Sequence, residues 1–533
     1  MSEHSHNDQS QAGDGGFFSR EAVSGVPWML FGKLLLFFIY FGVSVLIVNG
    51  LGKEKYGVYS VMLNLASYFV VLCGLGLGAA LTRYVPELAA RKNRKGLVMF
   101  LRKSALLQLA AVCGLTLLLL CASDPLQRLF KAEHVARFDF YLKLACGLTA
   151  LLLLKDFIGN VFTSVFKTRV IALLSVAHGL IWFIGLFVWL KVSPEVESAL
   201  LAQMLSIGVV YLIGAALLIR YVRSLPWSTD EFGIGKRRAL SFSGTVMLST
   251  ILRVMMFKYS EVFFLAAVGG TTLAGMYDLG YTLPYTAVTF IPLALLPLFT
   301  AAFAEAYIRD RACLGRLINS YYKLLMMVSM PVGVLGAFFA PRAYHIIYNG
   351  EMALAGRAAS AFCLVLLLPL ISMPLSAAIK AKEKVMNMVP TLVLQIVVNL
   401  FLDWLLIVRL GLGIWGGIGA VVGTFALTIP FRLWVVRDIL GGVFFPFWFF
   451  ARVGWALFGI AGGLWWITSR IGLFERFENQ PLNILLLFVV AAIYLALFLL
   501  ATRYLRLVRE EDVRDFQALE IDKLNAVLRL LVR

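Results

Sequence analysis

The chain alternates long apolar runs with short polar breaks. Windows of about 20 residues, the length a helix needs to cross a bilayer core, recur at about 14 places, centred near residues 38, 70, 112, 150, 180, 210, 254, 288, 329, 368, 397, 424, 457 and 492. The runs are continuous and lack the two-residue alternation of outer-membrane strands, so each predicts a helix. Residues 1–19, MSEHSHNDQSQAGDGGFFS, are polar and predict a cytoplasmic tail rather than a signal peptide. At the other end Phe516, Leu519, Leu524, Val527, Leu528 and Leu531 share one broad face. That face predicts a tail helix within 504–533, lying in the membrane interface or packed beneath the bundle.

Composition agrees with the pattern. A chain of 533 residues that is 61% hydrophobic and 15% charged is a polytopic membrane protein, all-α in class. The net charge of +18 would suggest nucleic acid in a soluble protein, but here Lys and Arg collect in alternate loops. RKNRKGLVMFLRK (91–103), KTR (167–169), GKRR (235–238), IRDRACLGR (308–316), KAKEK (380–384) and RLWVVR (432–437) predict a cytoplasmic side, with both termini on it and no nucleic-acid partner. The six cysteines show no CxxC spacing and His4 and His6 are too few for a metal, so no cofactor or metal is expected. The far-side loops, such as Gly50–Tyr56 and Gly269–Gly275, leave no room for a catalytic ectodomain.

A weak internal repeat organises the spans. LGKEKYGVY (51–59) and GGTTLAGMY (269–277) superimpose at an offset of 218, pairing Gly52 with Gly270, Gly57 with Gly275 and Tyr59 with Tyr277. Six spans per unit make the two copies parallel. The expected organisation is a first six-helix lobe over 20–222, a cytoplasmic linker over 223–238, a second lobe over 239–440 and two further spans over 441–503.

The apolar run from about Leu240 to Val268 carries Arg253, Lys258 and Glu261. An ionised group at mid-bilayer costs about 2.5–3.5 kcal/mol, so three in one helix call for a polar surrounding. At about 100° per residue they fall within an arc of about 140°, facing a bundle interior or a wet cavity. The alternative is that Arg253 snorkels to the interface while Lys258 and Glu261 satisfy each other. In the first span Lys33 is the one ionisable residue and lies within two positions of the place equivalent to Arg253. Lys33 either approaches Arg253 across the lobe interface or snorkels. Tyr277, Tyr281 and Tyr285 form a stripe beside Asp278, suited to a sugar-bearing ligand or to a membrane interface. Lys155, Asp156 and Asp403 sit near span ends, where local pairing is the default. Arg83 reads as an inside anchor or a guard at a cytoplasmic entrance.

With LGKEKYGVYSVMLNLASYFVVLCGLGLGAALTRYVPELAARKN, its echo GGTTLAGMYDLGYTL and the 14-span layout, the chain resembles the polysaccharide-flippase branch of the multidrug/oligosaccharidyl-lipid/polysaccharide exporter superfamily. The resemblance implies two pseudo-symmetric six-helix lobes around a central cavity, and a non-enzymatic flippase moving undecaprenyl-diphosphate-linked oligosaccharide across a bacterial inner membrane. Its partners would be that glycolipid, membrane lipids and the polysaccharide polymerase machinery. Lys33, Arg253, Lys258, Tyr277, Tyr281 and Arg83 are the expected substrate contacts, and Glu261 and Asp278 the coupling carboxylates. A multidrug or ion antiporter of the same fold, or a polymerase or ligase, is the competing expectation.

Overall fold

The computed structural model describes residues 15–90, 93–225, 259–309, 313–381, 389–440, 445–475 and 480–507, apart from isolated positions. Every regular element among them is helical: α1 (Gly15–Gly74), α2 (Leu77–Ala90), α3 (Arg94–Cys121), α4 (Ser123–Leu129), α5 (Phe138–Ser164), α6 (Thr168–Val192), α7 (Val196–Ser224), α8 (Tyr259–Arg309), α9 (Cys313–Ile347), α10 (Ala353–Val365), α11 (Leu367–Ala381), α12 (Val389–Asp403), α13 (Gly413–Leu440), α14 (Phe447–Ile471) and α15 (Gln480–Tyr504). Most of both expected tails and of the expected linker lies outside the described residues, although α1 already begins at Gly15, within the expected 1–19 tail.

Twelve helical stretches among the described residues, one of them made of α10 and α11 together, are long and apolar enough to cross a membrane, so this is a multi-pass membrane protein. The expected 14 crossings become 12 stretches for a local reason. The apolar part of α1, Leu34–Gly74, holds 41 residues. At about 1.5 Å per residue that is roughly twice the ~30 Å of a bilayer core, so α1 contains two crossings. They meet at Gly52, and the two segments of α8 meet at Gly270. The two glycines have nearly the same conformation, φ 69° and ψ 174° against φ 80° and ψ 174°. Only glycine adopts that combination without strain, and these are the residues that the repeat pairs.

Three other interruptions shape the interior. Leu75 and Gly76, both at positive φ, divide α1 from α2 inside the second expected span. Pro369 has no N–H to offer the Val365 carbonyl, and the tenth span breaks there into α10 and α11. After Asp403, α12 runs into a π-helical turn over Trp404–Arg409, which periodicity does not predict. The earlier helices α1, α5, α6 and α7 pack on one another, and α8 packs on α9, α10 and α11. The two groups join chiefly along α1 and α8, while α14 and α15 lie against α9. Large side chains on the outer faces, such as Leu117, Ile184, Leu212, Trp455 and Phe488, are exposed where lipid would cover them.

Candidate functional site

Glu261, in the first turn of α8, and Asp403, at the end of α12, are both fully buried. Asn399 lies one turn before Asp403, and its amide donates to Glu261 Oε1 at 3.2 Å. The Ser260 hydroxyl is 3.2 Å from both Glu261 Oε2 and Asn399 Oδ1; with one hydrogen it donates to one of them at a time. Both Asp403 oxygens lack a hydrogen-bond partner of normal geometry, although Ser260 is beside them and Glu261 is close enough to repel a second charge. Tyr277 lies within the field of both carboxylates, and its hydroxyl is buried without a partner. Two neighbouring buried carboxylates repel each other when both are ionised, and a proton or a cation beside them relieves that repulsion. The π-helical turn that starts directly after Asp403 is a distortion that recurs at functional sites.

A second constellation joins the two groups of helices. A Cβ on Gly275 would lie 2.6 Å from the Gly57 Cα, and one on Gly57 would lie 2.6 Å from the Thr271 carbonyl oxygen, so α1 and α8 touch backbone to backbone. One turn on, the Ser60 hydroxyl donates to Asp278 Oδ2 at 2.8 Å, and Thr282 donates to Oδ1 at 3.3 Å. Gly57 with Gly275, and Ser60 with Asp278, are each separated by the repeat offset of 218. Contact between equivalent positions is what a local two-fold relation produces. The other described hydrogen bonds between residues before 225 and after 258 lie toward the same end: Asn49 to the Ile347 carbonyl, Lys131 to the Val268 carbonyl, and Ser44 with Tyr348. Burial raises the Tyr348 phenol above its ordinary range, so it stays neutral.

The sequence-predicted residues divide between these places. Arg253 and Lys258 lie outside the described residues, and Lys33 lies in α1 with its side chain outside them. Arg83 is exposed on α2. Tyr277 packs edge-on against Phe362 at 5.2 Å, fully buried rather than presented to a cavity. Tyr281 also packs against Phe362 and stacks on Tyr285 at 5.5 Å. Asp278 and Glu261 occupy the two constellations above. An apolar cavity of about 320 Å³ lies between the two groups, lined by Tyr68, Phe130, Phe263, Phe264 and Leu400, with Ser260 contributing a hydroxyl to its wall.

The family model described as polysaccharide biosynthesis protein matches residues 22–303, more than half of the chain. The chain belongs to this family. An uncharacterized membrane protein of Methanocaldococcus jannaschii is 22% identical to this chain over 522 residues, 93% of this chain and 98% of its own. The fold is that of a MATE transporter of the MOP superfamily. An inward-facing MATE structure superimposes with a TM-score of 0.63 at 18% identity, covering 77% of this chain and 98% of that one. The outward-facing form gives 0.57 at 17% identity over 79% and 95%. A MOP-superfamily transporter of Pyrococcus furiosus, described as having a binding pocket of reversed polarity, gives 0.58 at 17% identity over 78% and 95%.

Sequence reasoning about this family member missed Ser60, Ser260 and Asn399 and set Asp403 aside. For α12 a signal was present: Thr391, Gln395, Asn399 and Asp403 recur every four residues in an otherwise apolar run. For Ser60 there was none, because its partner is 218 residues away.

Proposed function

We propose that this polysaccharide biosynthesis protein is a flippase for a lipid-diphosphate-linked oligosaccharide, of the undecaprenyl class that the family resemblance implies. It would work in a bacterial inner membrane with both termini cytoplasmic, and two six-helix lobes would rock about the α1–α8 contact. The observation that carries the reading is a buried ionisable centre, Glu261 with Asp403, inside a transporter fold that belongs to a polysaccharide biosynthesis family. The cargo's charged headgroup must be sheltered while its tail remains in lipid. Lys33, Arg253 and Lys258 are proposed to offset its lost hydration, since charge-assisted hydrogen bonds are about twice as strong as neutral ones. Arg83 guards the cytoplasmic entrance, and Tyr281 and Tyr277 serve the glycan once the lobes separate.

Coupling is assigned to Glu261 and Asp278. Protonated, Glu261 leaves Lys258 free for phosphate; ionised, it competes for that cation. Asp278, bonded to Ser60, holds the lobes closed at the Gly52 end and releases them when that end opens. With a negative cytoplasm, outward movement of each negative charge gains about 2.3 kcal/mol per 100 mV, so membrane potential adds to the drive. No catalytic step is assigned to the chain, and polymerase machinery receives its product.

The test is reconstitution into liposomes with a fluorescent lipid-diphosphate glycan, following leaflet accessibility with and without an imposed potential. Potential-stimulated flipping that Lys258→Ala abolishes supports the reading. Normal flipping in that variant removes the phosphate site, and efflux of a cationic dye instead of glycolipid would favour the antiporter reading that the MATE fold also admits.

A further inference from the structure

Along α12, Thr391, Gln395, Asn399 and Asp403 stand one above the other at four-residue spacing, each at most 1% exposed. Twelve residues of helix cover about 18 Å, more than half of a ~30 Å bilayer core. Opposite them α13 presents Thr424 and Thr428, also fully buried. The Gln395 amide donates to Thr428 Oγ1 at 3.1 Å, while the Thr428 and Thr424 hydroxyls donate back to carbonyls of their own helix at 2.6 and 2.7 Å. What remains in the seam is a row of unpaired oxygens: Thr391 Oγ1, Gln395 Oε1 and both carboxylate oxygens of Asp403.

Polar side chains also glue helices together in membranes, but glue pairs its members with each other. Here Gln395 and Asn399 do bond across helices, to Thr428 and to Glu261 and Ser260, yet Thr391, Gln395 Oε1 and Asp403 keep buried acceptors without a donor, and each such acceptor costs about 1–3 kcal/mol. A row of acceptors calls for mobile hydrogen-bond donors. At one end the row meets Glu261, faced by Ser260 and Tyr277 from α8 and by Asn399 and Asp403 from α12. At the other end, one turn past Thr428, Arg432 is bonded to Ser376 at 2.8 Å and lies near Tyr322 on α9. Thr391 stands in the first turn of α12, seven residues after the basic sequence KAKEK (380–384).

We propose that the α12–α13 seam is an internal proton path connecting the basic face of the protein with the Glu261–Asp403 pair. Hydroxyls and waters pass a proton by exchanging hydrogen bonds, with the Gln395 amide holding such waters in place, whereas an alkali ion would need a passage wide enough to carry its coordination shell. The inference rests on the coupling role proposed for Glu261.

It is tested with the full-length protein in liposomes, following the protonated-carboxyl infrared band after a pH jump. Wild type should show a band change that Glu261→Gln reduces. Gln395→Leu and Thr428→Val should each slow that change by about tenfold or more while leaving its final amplitude intact, and Gln395→Glu should restore the rate. Equal amplitude shows that a variant is folded. An unaltered rate in both variants overturns the path but leaves the coupling role standing, whereas a wild-type protein without the band change overturns both. A rate that depends on replacing potassium by sodium would overturn the assignment to protons.

Discussion

The two glycine-jointed helices share a backbone and differ in chemistry. Gly52 and Gly270 have matching dihedral angles, and Gly57 and Gly275 press against each other. Yet at the same offset Glu261 corresponds to the buried Val43, Ser260 to Gly42, and Asp278 to Ser60. Tyr59 and Tyr277 are both buried tyrosines, but only the Tyr59 hydroxyl has a protein acceptor, Gln203 Oε1 at 3.3 Å. Geometry was kept on both sides, and the ionisable centre was placed on one.

The largest expected effect of breaking this asymmetry is at the carboxylates. Glu261→Gln should lower flipping at least about tenfold, equivalent to ~1.4 kcal/mol, with protein still in the membrane; liposome flipping against membrane-fraction abundance measures both. The reciprocal change Val43→Glu should cost about 2.5–3.5 kcal/mol of stability, read as a loss of expression and Tm, because Val43 is buried in an apolar core and Gly42 stands where Ser260 serves Glu261. Next in size is Gly275→Ala, whose methyl group cannot fit beside Gly57. Overpacking of about 1–3 kcal/mol should favour the form open at the Gly52 end, raising the rate at which an impermeant maleimide labels Ser44→Cys. Gly52→Ala and Gly270→Ala should lower Tm by similar amounts, equivalent to about 1–3 kcal/mol each, since both occupy glycine-only backbone. A marked inequality would mean that the joints are not mechanically equivalent. The smallest contrast is between hydroxyls. Tyr59→Phe should lose about 1 kcal/mol, and Tyr277→Phe should leave Tm nearly unchanged.

Much of this architecture was legible in the order of residues. Apolar runs located the crossings, and three matching residues in nine located the repeat whose glycines share a conformation. The expected Gly50–Tyr56 loop does hold the junction of two crossings, but its confinement to the single non-helical residue Gly52 was not legible, because lysine and glutamate there read as a longer loop. Glu261 was legible as an anomaly, a charge in an apolar run. Its neighbours were not, because Asn399 and Asp403 come from a helix 138 and more residues away. Asp403 had been discounted for lying near the end of its span, whereas it is fully buried. Within the expected aromatic stripe of Tyr277, Tyr281 and Tyr285, the Tyr277 ring is enclosed by Phe362 and the close approach of Gly417.

The π-helical turn after Asp403 has a mechanical consequence. It carries one surplus residue, with the Leu410 N–H reaching back five positions to the Leu405 carbonyl. A surplus of this kind can travel along a helix by exchanging one hydrogen bond at a time, and every residue it passes turns by about 100° about the axis. Passage across Asp403 would swing its carboxylate away from Glu261 without unwinding the helix or moving its ends.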